Sequence, residues 1–184
     1  MIRRLAFALI VVLLGGQFAL SAPAQVIIIR HAEKPSTGDD LNAKGRMRAA
    51  ALVPYFLETP EVLEYKSPVA IYAQKSTDSH KSRRPVDTIK GLAKALKQDL
   101  IEYPREDAMV MVKDIMAKPE YEGKMVVICW SHTGIPDMAK AFGVKEVPEW
   151  SGSVYDRTWI ITFNKGVASF KNAPQKLMYG DSEK

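Results

Sequence analysis

Cysteine and histidine are scarce in this chain of 184 residues, which has one cysteine and three histidines. The single cysteine, Cys129, excludes an intramolecular disulfide, and its apolar neighbours predict a small core residue. The histidines, His31, His80 and His132, lack the spacing of three or four residues that is common among metal ligands. The sequence therefore predicts no metal site, and no cofactor is expected.

Repeats, low-complexity tracts and obvious linkers are also absent. The net charge of +5 is modest, and no dense stripe of lysine and arginine alternates with aromatic residues. Proteins that bind nucleic acid usually carry such a stripe. Nucleic acid is therefore not an expected partner.

The first 24 residues have the pattern of a secretory signal peptide. A basic start over residues 1–4 precedes an apolar run over residues 5–14, and Ala22-Pro23-Ala24 offers a cleavage site. The run is short for a membrane span. We expect a periplasmic or secreted protein with no stable membrane insertion after the signal is removed; an uncleaved anchor is the alternative. Residues 25–184 then form a single domain.

Short apolar runs alternate with helical patterns along that domain. The predicted strands cover residues 26–30, 69–73, 125–130 and 158–163, with a weaker one at 168–171. The predicted helices cover residues 43–57, 84–96, 107–117 and 136–142. Such alternation is typical of a largely parallel sheet with helices on both faces.

Polar residues follow two of these strands directly. Arg30 and His31 end the β-branched run of residues 26–29, and His132 follows the run of residues 125–130. Ligands of open α/β sheets bind at the carboxyl ends of strands. A guanidinium beside an imidazole suits a nucleophilic histidine and an anionic substrate.

Four motifs resemble those of the histidine phosphatase superfamily, also called the phosphoglycerate mutase-like superfamily. The matches are Arg30-His31-Ala32 for its Arg-His-Gly signature, Leu41-Asn42-Ala43-Lys44-Gly45 for its first helix, Arg84 with Thr88 for its second arginine, and Ser131-His132-Thr133-Gly134 for its second histidine. Alanine replaces glycine at position 32. The four motifs occur in the order of the family and with similar separations, over residues 26–145. This agreement is more specific than any single motif.

The resemblance implies a three-layer α/β/α sandwich with a largely parallel central sheet, a phosphoglycerate mutase-like fold. It also implies that His31 attacks phosphorus, while Arg30, Arg84 and His132 hold the phosphoryl oxygens. We add Thr133 to the phosphate-binding set, because Thr133 or Gly134 can cap the helix predicted after His132 and helix N-termini bind phosphate.

A general acid that protonates the leaving oxygen is harder to place. The family takes it from the region between the second arginine and the second histidine, where Glu102, Glu106 and Asp107 are candidates. Asp107 is preferred because it opens a predicted helix. An enzyme whose substrates carry good leaving groups needs no such acid. His80 is expected in an exposed loop, with the rim of the pocket as an alternative.

The sequence thus predicts an exported, metal-independent phosphatase that hydrolyses phosphomonoesters through a phosphohistidine. Its substrate would be a phosphorylated small molecule or a phosphorylated component of the cell envelope. A phosphate-binding pseudoenzyme or binding module of the same fold is the alternative, motivated by Ala32 and the missing acid. A phosphatase acting on phosphohistidine in proteins is a third possibility.

Overall fold

The computed structural model of the protein describes residues 22–183. The predicted signal peptide, residues 1–24, lies outside the described residues except for its last three positions. Over residues 22–183, no helix has both the length and the apolar character needed to cross a bilayer.

Within residues 22–183, the regular structure is one six-stranded sheet, four α-helices and three short 3₁₀ turns. The strands are β1 (Gln25–Arg30), β2 (Ala70–Gln74), β3 (Leu100–Tyr103), β4 (Met125–Trp130), β5 (Arg157–Asn164) and β6 (Val167–Pro174). The helices are α1 (Ala43–Glu58), α2 (Arg84–Leu96), α3 (Ala108–Ala117) and α4 (Ile135–Ala141). This is the predicted mixed α/β fold.

The direction and register of the strands bring the sequence motifs to one edge of the sheet. The strand order is β3-β2-β4-β1-β5-β6. Strands β1 to β4 are parallel, β5 is antiparallel to β1, and β6 is antiparallel to β5. Arg30 of β1 pairs in register with Trp130 of β4. The residues that follow both strands therefore leave the sheet side by side.

Each face of the sheet carries its own apolar core. Val26 and Ile28 pack in the core that includes α3 and α4, whereas Ile27 and Ile29 pack in the core that includes α1 and α2. Successive side chains of a strand point to opposite faces. Because both faces are covered, residues 26–29 of β1 are all apolar rather than alternating with polar residues, which confirms the prediction of a doubly buried strand.

Most predicted elements match the observed ones within a few residues. The exception is β3, which the apolar patterns do not predict. It is a short strand at the edge of the sheet, its side chains are at most half-buried, and Glu102 is exposed. Cys129 is fully buried in the core, as predicted.

Candidate active site

A cleft of about 350 Å³ lies where β1, β2 and β4 end. Among the site residues predicted from the sequence, it brings together Arg30, His31, Arg84, His132 and Thr133. These residues come from three separate segments of the chain. The parallel arrangement of β1 and β4 and the start of α2 place them around one space.

His31 lies in this cleft with only 5% of its surface exposed. Its Nδ1 is 2.8 Å from the carbonyl oxygen of Ala32. Since a carbonyl oxygen can only accept, Nδ1 donates and the lone pair of the neutral ring lies on Nε2. Burial lowers the pKa of His31 to about 4, with smaller contributions from Arg30 and Arg84. The imidazole is therefore neutral near pH 7, as a nucleophile must be.

Arg30 is held by a loop far away in the sequence. Its Nη1 donates to the carbonyl oxygens of Gly152 and Val154, at 2.8 Å each. The guanidinium also lies 3.8 Å from the centre of the Tyr155 ring, a cation–π contact. Burial lowers the pKa of Arg30, an effect that Tyr155 partly offsets. No sequence motif pointed to this loop.

Arg84 is the first residue of α2 and faces the loop that follows β1. Its Nη2 donates to the Gly38 carbonyl at 2.6 Å. Thr88, one turn further along α2, donates to the Arg84 carbonyl at 2.7 Å and accepts from the Ala32 N–H at 2.9 Å. The threonine four residues after the arginine thus ties α2 to the residue next to His31.

His132 follows β4 and packs against the backbone of Gly152, where an added Cβ would lie 3.3 Å from Nε2. Burial lowers the pKa of His132, and so do the nearby charges of Arg30, Lys34 and Arg105. Arg105 lies beside it, since its Nη2 donates to Thr133 Oγ1 at 2.9 Å. Sequence reasoning missed Arg105.

The cleft is rich in hydrogen-bonding atoms that have no partner within residues 22–183. Five belong to residues lining it: Arg30 Nε, His80 Nδ1, Ser82 Oγ, Ser131 Oγ and His132 Nδ1. Buried polar atoms normally have partners. An anion with several oxygens, such as a phosphoryl group, would supply acceptors for the N–H and O–H groups among them.

Metal binding is not indicated for the same space. Over the described range, no group of three or more His, Cys, Asp or Glu side chains is arranged to hold a metal ion. The charged lining is instead mostly cationic, with two lysines and three arginines against one carboxylate, Asp39. Guanidinium groups are well suited to bind phosphoryl oxygens.

The structure does not bring Asp107, the preferred general acid, into the cleft. Asp107 ends a single 3₁₀ turn, Arg105–Asp107, and Arg105 is the residue of that turn that lines the cleft. The other candidates, Glu102 and Glu106, do not line it either. His80 does, which corresponds to the alternative expectation for that residue.

A buried charge network supports the loop that carries His31. Arg48 of α1 donates to both carboxylate oxygens of Glu33 and, at 2.6 and 2.9 Å, to Asp181 near the end of the chain. Although burial alone would lower it, hydrogen bonds to Asp181 and Glu33 raise the pKa of Arg48. The two acids lie 148 residues apart in sequence, so the pattern of the chain alone could not pair them.

Close packing of α1 against the loop after β1 explains why the first-helix motif has a glycine, Gly45. A Cβ on this residue would lie 2.2 Å from the carbonyl oxygen of Glu33, so only glycine allows α1 to approach the loop after β1 this closely. Asn42 caps the same helix, its Oδ1 accepting from the Gly45 N–H at 2.8 Å. The start of α1 is therefore fitted against the backbone near His31.

No protein-family model and no curated protein matches this sequence. Solved structures match it in fold. The structure of protein histidine phosphatase SixA complexed with tungstate matches with a TM-score of 0.61 at 13% identity. The match covers 82% of this chain and 97% of the SixA chain. A mycobacterial glucosyl-3-phosphoglycerate phosphatase has a TM-score of 0.54 at 13% identity, covering 84% and 99%. Phosphoglycerate mutase from Bacillus anthracis has a TM-score of 0.54 at 11% identity, covering 84% and 94%.

These structural neighbours are members of the superfamily that the four sequence motifs resemble. At such low identity the similarity establishes the fold alone: a mixed α/β arrangement with a mostly parallel six-stranded sheet and helices around it.

Proposed function

We propose that this protein is a phosphatase that hydrolyses phosphomonoesters through a covalent phosphohistidine on His31, without a metal ion. One observation carries the proposal. The neutral, buried imidazole of His31, with its lone pair on Nε2, shares a cleft with Arg30, Arg84 and His132. The structural neighbours named as phosphatases of protein histidine and of glucosyl-3-phosphoglycerate support this reading.

In the first step, Nε2 of His31 attacks phosphorus. The P–N bond forms as the bond to the leaving oxygen breaks, and that oxygen takes the electron pair. Arg30, Arg84 and His132 bind the phosphoryl oxygens and stabilise the charge that spreads over them in the transition state. Thr133 Oγ1 accepts from Arg105, which leaves its O–H free to donate to a phosphoryl oxygen.

In the second step, water attacks phosphorus and the P–N bond breaks. Nε2 regains its electron pair, inorganic phosphate leaves, and the proton lost by water stays on phosphate or passes to solvent. Nδ1 keeps its proton throughout, because the Ala32 carbonyl accepts from it. The protein therefore returns to its starting state without a net change in protonation.

The pattern of a signal peptide in residues 1–24 supports a proposal about cellular location. We infer that residues 1–24 export the protein and that it acts as a periplasmic or secreted enzyme. Its partner would then be a phosphorylated small molecule or a phosphorylated component of the cell envelope. Cell fractionation of the tagged chain, with N-terminal sequencing of the product, tests this; a cytoplasmic protein that keeps its leader would contradict it.

The experiment that tests the chemistry is hydrolysis of p-nitrophenyl phosphate by the purified protein, with and without EDTA, beside His31→Ala. We expect turnover that survives EDTA and is lost in the variant. Rapid mixing followed by an alkaline quench should show phosphate bound to Nε2 of a histidine. Loss of activity in EDTA, or an active variant, would contradict the proposal.

Two adjacent arginines provide a matched pair of variants. Arg84 lines the cleft, whereas Arg83 is exposed and does not. Arg84→Gln should lower kcat by about 10²- to 10³-fold, the usual loss for a donor that stabilises a transition state. Arg83→Gln should change it by less than about twofold, as for most surface substitutions. A protein that binds phosphate but never forms phosphohistidine would instead be a binding module of the same fold.

A further inference from the structure

The mouth of the cleft carries more positive charge than a phosphoryl group alone requires. Arg30 and Arg84 are available for the phosphoryl oxygens, yet Lys34, Lys81 and Arg105 also line the cleft. Lys34 and Lys81 are exposed, and Arg105 is half-buried. The remaining three cations therefore lie nearer to solvent than the nucleophile does.

Displacement at phosphorus places this outer part of the cleft next to the leaving group. The attacking and leaving atoms lie roughly in line on opposite sides of phosphorus. His31 and Arg30 are only 5% and 2% exposed, so the attack comes from the buried end. The leaving group must then point toward the exposed end, where Lys34, Lys81 and Arg105 lie.

Among the described residues, the cleft lining holds only one carboxyl group, and it faces a guanidinium. Glu102, Glu106 and Asp107 lie outside the cleft lining. Asp39, the one carboxylate in that lining, faces the phosphoryl-binding Arg84, with its Oδ1 3.9 Å from Nη2. An alkoxide leaves poorly without a proton, whereas a leaving group of low basicity needs none.

We propose that the preferred substrates are phosphoric anhydrides, from which the enzyme removes the terminal phosphoryl group of a diphosphate. This rests on the proposed phosphohistidine chemistry and assigns its leaving group. Nε2 of His31 bonds to the terminal phosphorus as the bridging P–O bond breaks. The bridging oxygen keeps the electron pair and departs within a phosphate dianion. That dianion requires no proton, and the cations at the mouth bind its charge.

Three probes, all assayed in EDTA, separate the effect of the leaving group on the rate from the effect of a second phosphate. Methyl diphosphate has an anhydride bond and a second phosphate. Ethanediol bisphosphate has the second phosphate but an alcohol leaving group. By contrast, p-nitrophenyl phosphate has a good leaving group but no second phosphate. We expect methyl diphosphate to exceed p-nitrophenyl phosphate in kcat/KM by about tenfold, a typical gain from one charge-assisted hydrogen bond. Ethanediol bisphosphate should be the slowest.

Charge-removal variants test the mouth of the cleft directly. Arg105→Gln should lower the ratio of kcat/KM for methyl diphosphate to that for p-nitrophenyl phosphate by about tenfold. Lys34→Gln should lower it in the same direction, and this exposed side chain can be changed with little risk to folding. Arg83→Gln, a nearby cation outside the cleft lining, should leave the ratio unchanged.

The outcomes distinguish failure of the anhydride proposal from failure of the proposed phosphatase function. If p-nitrophenyl phosphate is hydrolysed through His31 while methyl diphosphate is no better, the anhydride proposal is wrong and the phosphatase stands. Equal rates for methyl diphosphate and ethanediol bisphosphate would reveal a general acid and also overturn it. Absence of turnover with all three probes would overturn both proposals.

Discussion

The protonation of His31 is the prediction on which the mechanism depends most directly. Burial, assisted by the charges of Arg30, Arg84 and His132, lowers its pKa from 6.5 to about 4. In the unfolded chain the same imidazole has its ordinary pKa. Lowering the pH from 7 to 4 therefore adds a proton to the unfolded state before it adds one to the folded state.

This difference has a stability consequence whose sign is fixed. Because the unfolded state binds the proton first, the free energy of unfolding falls as the pH drops from about 6.5 toward 4. Above pH 6.5 both states are neutral and the group contributes nothing. A shift from 6.5 to about 4 at 1.36 kcal/mol per pKa unit gives a loss of about 3 kcal/mol.

Two assays measure the effect, and His31→Asn is the control for both. The chain has only three histidines, so NMR of the ring carbons and nitrogens as a function of pH resolves few signals. The signal missing from the variant identifies His31. Urea unfolding of both proteins at pH 7 and pH 4, in buffer without phosphate, gives the difference in stability loss. We expect the wild type to lose about 3 kcal/mol more than the variant.

The reasoning would be refuted if the His31 signal titrated near 6.5 or if the two proteins lost stability in parallel. The ring would then be charged at mildly acidic pH, and its Nε2 could not act as the nucleophile there. The acid limb of kcat/KM should move with the same group, since a protonated His31 cannot attack phosphorus. A fall in activity near pH 4 rather than 6.5 would agree with the structure.

Two further substitutions test how the loop after β1 is supported. Gly45→Ala should destabilise the protein by about 1–3 kcal/mol in urea unfolding and lower kcat, because its Cβ would lie 2.2 Å from the Glu33 carbonyl oxygen. Gly91→Ala, also within a helix, meets only a side-chain methyl at 3.3 Å and should be neutral or stabilising. Asp181→Asn should cost about 3 kcal/mol, because it leaves the buried Arg48 short of one charged partner; a loss below about 1 kcal/mol would contradict that pairing.

The sequence predicted those parts of the fold that depend on local pattern. An apolar run predicts a strand such as β1 because burial on both faces excludes polar residues. The helical pattern over residues 84–96 predicts α2, whose bounds match the observed helix. The edge strand β3 has neither signal, because only its neighbour β2 pairs with it and its side chains remain partly exposed.

Such local patterns do not predict contacts between residues that are far apart in sequence. The carbonyl groups of Gly152 and Val154 that hold Arg30 lie 122 and 124 residues away in sequence. Any residue can offer a carbonyl group, so no residue type marks these positions. Tyr155 is equally inconspicuous, although its ring lies 3.8 Å from the same guanidinium. The motifs identified the groups expected to face phosphate, and the structure identifies the groups that hold them.

The placement of Asp107 depended on the rotational phase of a single turn, which composition does not determine. The helical pattern predicts a start at residue 107, but the structure has a 3₁₀ turn from Arg105 to Asp107 and begins α3 at Ala108. At three residues per turn, positions 105 and 107 lie about 120° apart around the axis, so they face different surroundings. The turn presents Arg105 to the cleft instead of the carboxylate. A cation therefore lies where an acid was expected, and this exchange is why the leaving group is inferred to be anionic and to need no proton.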